Sequence, residues 1–466
     1  MPRIEKDFLG ERELPDHAYY GVQTLRGKDN FHITGIPMSE EPFFVQAFGY
    51  VKKAAAMANR DLGVLDEKIA TAIIWGCDQL IAGKHRDQFV TDFIQGGAGT
   101  STNMNANEVI ANLALEHLGH AKGDYHVVSP NDHVNFGQST NDAYPTAFRL
   151  ALILRLESYI EAIAKLQAAF AAKTKEFDRV LKMGRTHLQD AVPMTLGQEL
   201  NGWATTMGEE IHRLRESQQL LKEINLGATA IGTSVTAHPG YPSLATRYLS
   251  DITGIEFILA GDLVEATSDT GAYVQLSGVV KRTAVKLTKI CNDLRLLASG
   301  PRTGLNEIDL PQMQPGSSIM PGKVNPVIPE VVNQAAFLVI GLDTTVTLAA
   351  SAGQLQLNVM EPVITFALFT SIFVMENAVD TLREHCVDGI QANAERTKAM
   401  VMNSLGIVTL LKPKLGYKLC SEIAKEGYAQ GKSLQQIVVA ERKLLTQAEW
   451  DEIFSLENLI DPEFTQ

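Results

Sequence analysis

Apolar residues in the middle of this chain recur at intervals of three and four. Leu152, Leu156, Ile160, Ile163, Leu166 and Phe170 fall on one face of a helix that runs from Asp142 to about residue 177. Asn141 or Asp142 can cap its start, with Pro145 tolerated in the first turn. Further long helical patterns cover 195–224, 262–298, 328–350 and 361–390. A thirty-residue helix is about 45 Å long, more than a compact single core needs, and suits a bundle that continues across subunits. Neither sustained strand alternation nor an internal repeat is visible. Residues 1–141 mix short helical patterns with loops rich in glycine and asparagine, 142–394 hold the long helices, and 395–466 read as a small helical cap in which Ser433 and Gln436 form a capping box.

Composition narrows the function. With 466 residues the chain exceeds one ordinary core. A formal charge of −13 and the lack of any basic block leave no electrostatic footprint for nucleic acid. The apolar run VITFALFTSIFVM, 363–375, is bounded by Glu361 and Glu376, too short for a bilayer, and reads as a buried helix. The first residues lack the apolar core of a signal peptide. Cys77, Cys291, Cys386 and Cys420 have no paired spacing, which argues against a thiolate metal site and a disulfide framework. A cytoplasmic protein without membrane contact is expected.

Candidate chemistry lies in the loops. GYAQGKS, 427–433, has three residues between its glycines where a phosphate-binding loop needs four, and reads as a helix start. Four polar loops are more informative: GAGTSTNMN at 97–105, GQSTND at 137–142, GRTHLQD at 184–190 and GSSIMPGKVNP at 316–326. Ser and Thr beside Gly are common caps and turns, but a turn needs neither adjacent serines nor a lysine between two prolines. Together the loops supply many hydroxyl and amide donors, one lysine, one histidine and few carboxylates. That inventory suits a small dianion, for which charge-assisted hydrogen bonds replace water. In an acidic protein the site must be locally positive, with Lys323 and His187 as the sources. His187 read alone is as well explained by a structural role, and its flanks give no metal-ligand spacing.

These blocks resemble the fumarase and aspartase superfamily. GSSIMPGKVNP is similar to its signature loop, GRTHLQDAVPMTLGQE to its second block and GAGTSTNMNANEV to its first, and the likeness runs from DFLGERELPDHAYYGVQTLRG at 7–27 to the C-terminal segment. GGAGTSTNMN, QSTNDAYPT and TTVTLAASAGQLQLNVMEP are more similar to the aspartase branch than to the fumarase branch. The resemblance implies an all-α subunit of three regions whose central five-helix bundle assembles into a twenty-helix homotetramer core, with each active site shared between three subunits. It implies reversible deamination of L-aspartate to fumarate and ammonium through an enediolate, with no organic cofactor; no metal-ligand spacing is visible in the sequence, so no metal site is expected.

The same resemblance implies the site residues. Thr100, Ser139, Thr140 and Ser318 would hold the β-carboxylate. Thr186, Lys323 and Asn325 would hold the α-carboxylate, while Asn141 and His187 would contact the amino group. Ser317 matches the general base, and Glu330 matches the glutamate that supports the histidine in fumarases. Fumarate hydration from L-malate is the nearest alternative. A lyase for a substituted aspartate and a non-catalytic scaffold are more distant ones.

Overall fold

The structure, a computed structural model, describes residues 2–460. A short hairpin comes first, β1 (Arg3–Asp7) with β2 (Gly10–Leu14), followed by α1 (Val22–Asn30). Helix α2 (Pro42–Asp61) starts where the Glu41 carboxylate accepts from Phe43 N with Pro42 next to it, and Asp66 caps α3 (Glu67–Ile81) through Lys68 N and Ile69 N. Helix α4 (Thr100–His117) follows Gly99, whose φ of +89° and closeness to the Tyr144 ring admit only glycine.

Helix α5 (Thr140–Glu176) spans 37 residues. It begins two residues earlier than the periodicity suggests. Ser139 Oγ accepts from Asn141 N at 3.2 Å, and Asp142 Oδ1 accepts from Ser139 N at 3.1 Å, a reciprocal cap that the sequence reading placed at Asn141 or Asp142. A second hairpin, β3 (Leu181–Thr186) and β4 (Gln189–Thr195), leads into α6 (Leu196–Leu220).

Next come α7 (Tyr241–Thr253), α8 (Leu263–Ser268) and α9 (Gly271–Leu297), so the single helix expected over 262–298 is two, broken where Asp269 turns to accept from Gly271 N. Helices α10 (Val327–Ser351) and α11 (Glu361–His385) complete the long set. The C-terminal segment contains α12 (Ala394–Asn403), α13 (Lys412–Gln430), α14 (Gln447–Ile453) and α15 (Leu456–Ile460). GYAQGKS marks the end of α13, where Gly431 takes a φ of +65°. Only half of the expected cap at Ser433 forms, from Gln436 N to Ser433 Oγ, whereas Thr446 and Glu449 make the full capping box. The chain is 63% helical.

Contacts group the chain into two compact units, one of Met1–Ile160, His212–Ala284 and Phe337–Glu376, the other of Glu161–Ile211, Val285–Ala336 and Asn377–Gln466. Every internal boundary falls inside one of α5, α6, α9, α10 and α11, so the five long helices belong to both. In the first unit Phe44, Phe48, Tyr144, Phe148, Tyr273 and Phe369 form an aromatic core, with ring centroids of neighbours about 4.6 to 6.2 Å apart. Tyr144 OH meets Thr365 Oγ1 at 3.1 Å inside it. The second unit has its own core, in which Leu181 and Met183 of β3 pack with Val401, Ile407, Leu411, Ile423 and Trp450. All four cysteines are free and buried.

Helices α10 and α11 are long and apolar enough to cross a membrane by length and composition. Most of the apolar window of α11 is buried, as read from sequence, but only 28% of that of α10 is. Val331, Phe337, Leu338 and Leu348 leave an apolar stripe on α10 open, with Phe337 59% exposed.

Candidate active site

In the first unit, α4 and α5 bring their N-termini together. Thr100 opens α4 and Thr140 opens α5, and one turn into α4 Asn103 Nδ2 donates to Thr140 Oγ1 at 3.2 Å. Two helix starts present the positive ends of their dipoles, a setting that favours an anion. Thr100 is exposed, with its Oγ1 donating to Gly97 O, whereas Ser139 and Asn141 are half-buried and Thr140 is buried. Asn141 Nδ2 donates to Ala230 O at 2.7 Å and its carbonyl accepts from Asn225 Nδ2 at 3.0 Å. Its Oδ1 is thereby left to accept from a ligand.

Beneath these residues lies a polar bed that the sequence reading missed. Asp142 is buried and its Oδ2 accepts from Gly227 N and Thr229 N, which ties the start of α5 to the 225–230 segment. Burial pushes its carboxyl up to about 7 despite those donors. Lys52 of α2 is buried too, and loss of water pushes its ammonium down to about 7, with Asp142 opposing the shift. The one available signal was a lysine in phase with the apolar stripe of α2, four residues from Phe48 and from Ala56.

The second unit holds the remaining candidates at two places. Thr186 and His187 are exposed at the tip of the β3–β4 hairpin, where Thr186 pairs with Gln189. The two-residue turn, His187 and Leu188, has φ of 54° and 59°, a geometry usually filled by Asn-Gly. Such backbone is uncommon for these residues and needs support. Buried charges supply it: Glu307 holds Arg185 Nη1 at 2.5 Å and Lys182 Nζ at 3.0 Å, and Glu199 holds Lys182 at 2.5 Å. A cleft of about 340 Å³ beside the tip is lined by Lys182, Arg185, His187, Glu199 and Lys289. The segment read as a plain loop is therefore a braced hairpin.

The other place is the 316–326 loop, which is irregular as its composition demands. Gly316 N donates to Lys323 O at 2.7 Å and Asn325 Nδ2 to Gly316 O at 2.7 Å, so the loop closes on itself. A Cβ on Gly316 would lie 2.7 Å from Lys323 O, which explains the glycine. Ser317 Oγ accepts from Ile319 N at 3.2 Å and Met320 N at 3.0 Å. Ser318 and Lys323 are exposed, and the Lys323 ammonium has no hydrogen bond or ion pair among the described residues. Glu330, exposed in the first turn of α10, forms no ion pair with His187, and no hydrogen bond joins the hairpin tip to this loop among the described residues.

Long helices that begin at Ser- and Thr-rich loops, together with a separate loop whose serine Oγ accepts from two backbone N–H groups, are features of a lyase. The chain belongs to the fumarase/aspartase superfamily: residues 10–341 match the family described as Lyase and 407–461 that described as Fumarase C C-terminus. Among its relatives is the aspartate ammonia-lyase of Pseudomonas aeruginosa, 58% identical, with 99% of this chain and 97% of that one covered. The aspartate ammonia-lyase of Escherichia coli (strain K12) is 55% identical over the same shares. A solved structure of fumarate lyase:delta crystallin from Brucella melitensis bound to cobalt superposes with a TM-score of 0.95 at 53% identity, covering 98% of this chain and 99% of that one. A class II fumarase from Schistosoma mansoni gives 0.93 at 34% identity, covering 99% and 100%.

Proposed function

We propose that this chain is an aspartate ammonia-lyase, a carbon–nitrogen lyase that converts L-aspartate reversibly to fumarate and ammonium. Relatives at 55–58% identity over nearly the whole chain carry that name, whereas the fumarase structure stands at 34%. The fumarate hydratase reading is not favoured.

The observation that carries the mechanism is the pair of N–H groups on Ser317 Oγ. A serine is a weak base unless its alkoxide is stabilised, and preorganised backbone donors do that. Ser317 takes a proton from Cβ, and the electron pair moves into the β-carboxylate as an enediolate. Thr100, Ser139, Thr140 and Ser318 hold that group, where a single well-placed donor is worth about 3–4 kcal/mol. Thr186, Lys323 and Asn325 bind the α-carboxylate. The Asn141 Oδ1 and His187 face the amino group, which leaves as ammonium while the enediolate collapses to the double bond. Glu330 supports His187 across the assembly.

Three regions, 1–141, 142–394 and 395–466, fit this reading. The site groups lie on separate segments, and the open apolar stripe of α10 supports burial in a homotetramer with each site drawn from three subunits. Four unpaired cysteines support a cytoplasmic location. Fumarate absorbance after separate mixing with L-aspartate and L-malate tests the function. Product from aspartate alone is expected, and product from malate alone would move the chain to the fumarases.

A further inference from the structure

None of the surface of Lys52 reaches solvent. Its Nζ lies 2.7 Å from Asn103 Oδ1, 2.9 Å from Gln138 Oε1 and 3.1 Å from Asn135 Oδ1. An ammonium has three protons to give and no lone pair to accept with. Three amide oxygens therefore take all of its donors, and no carboxylate is among them. A carboxylate would neutralise the cation, whereas amides give the cluster direction.

An amide has an acceptor on one side and two donors on the other, and Lys52 can face only the acceptor. Asn103 Oδ1 is thus held toward Lys52, and its Nδ2 is held on the far side, 3.2 Å from Thr140 Oγ1 and 3.2 Å from Asn135 Oδ1. Asn107 Nδ2 also donates to Asn135 Oδ1, at 3.1 Å, and Asn135 Nδ2 donates to Gln138 O at 3.1 Å. These bonds lock the orientation of each amide against its neighbours. The chain of donors ends at Thr140, whose Oγ1 accepts from Asn103 and has no second partner among the described residues. A hydroxyl whose oxygen is already engaged this way has its proton free to give.

We propose that Lys52 is a positioning residue: acting through Asn103, it fixes the Thr140 hydroxyl as a hydrogen-bond donor and so makes this corner of the site selective for a carboxylate. The inference rests on Thr140 as a contact of the substrate β-carboxylate. Without the cation, Asn103 can turn over, present its oxygen to Thr140 and capture the hydroxyl proton inside the protein.

Asn103→Asp provides the test. The new carboxylate keeps Lys52 paired, so no buried charge is orphaned, but it has no N–H, and Thr140 must donate to it. Because the new oxygen also faces Asn135 Oδ1, to which Asn103 Nδ2 donates at 3.2 Å, the thermal midpoint should fall by a few degrees, and the expected result is an assembled protein with a kcat/KM for L-aspartate lowered about tenfold to a hundredfold, the range for a hydrogen bond to a charged group. Lys52→Met should lower it in the same direction. A double-mutant cycle with Thr140→Ala decides between positioning and general damage. In the Thr140→Ala background either change should alter kcat/KM by less than about threefold. Full additivity would overturn the inference alone. Unchanged kinetics in Thr140→Ala itself would overturn the carboxylate assignment and the inference with it. Should Asn103→Asp not fold, Lys52→Met, Thr140→Ala and their double variant complete the same cycle.

Discussion

The start of α5 and the 316–326 loop both carry proposed substrate contacts, yet they are built in opposite ways. Thr140 and Asn141 rest on a buried bed of amides, Lys52 and Asp142, with each orientation set by at least one bond from another element. The loop is tied mainly to itself, and Ser318, Ile319, Lys323 and Val324 face outward. One region is preorganised before substrate arrives. The other has few bonds outside itself, and such sparse anchoring would suit the proposed base, Ser317, if it closes over substrate and opens to release product.

The comparison can be broken in order of expected size. Ser317→Ala should cut kcat by at least about 10³-fold, on the order of 4 kcal/mol of barrier, with assembly by size exclusion and thermal midpoint unchanged. Near-normal turnover would remove Ser317 as the base. Gly99→Ala should destabilise the first unit by about 3 kcal/mol, because the added Cβ would overlap the Tyr144 ring with φ at +89°; denaturant melts would show it. Lys323→Met should raise KM for aspartate by tenfold or more, from loss of a roughly 1.5–3 kcal/mol charged contact, and leave the melt unmoved because the side chain has no partner among the described residues. Gly322→Ala has open space around it and a φ of +83°. It should cost the loop only about 1 kcal/mol, visible in kcat and not in melting.

The smallest effect lies away from the site. Glu449 is held down to about 2 by Lys414 and by the Thr446 N–H and hydroxyl. A carboxyl whose folded value lies below its unfolded one stabilises fully above the unfolded value and loses that contribution as pH falls toward the folded one. Glu449→Gln should therefore lower the melting point by no more than about 2 °C near neutrality, with the difference from the parent narrowing as the pH is brought below about 4.5.

The long helices were legible because their apolar faces repeat over many turns, and the ends of α10 fell within one residue of expectation. The 316–326 loop was legible by composition. The β3–β4 hairpin was not, since its turn uses His187 and Leu188 in place of Asn-Gly and its bracing by Glu307 is more than a hundred residues distant. Lys52 was hidden for a related reason. Its meaning depends on Asn103, Asn135 and Gln138, which no local pattern connects to α2. Periodicity reports which face is buried, and says nothing of polar partners gathered there from elsewhere.

The four buried cysteines give the molecule a built-in clock. Burial pushes the thiols of Cys77, Cys291, Cys386 and Cys420 upward, Cys386 to about 12, so the reactive thiolate is scarce and shielded while the chain is closed. Cys77 sits in the first unit and the other three away from it: Cys386 and Cys420 in the C-terminal part of the second unit, Cys291 on α9. The rate at which an alkylating reagent tags each one reads out how often its own surroundings open, without any introduced label.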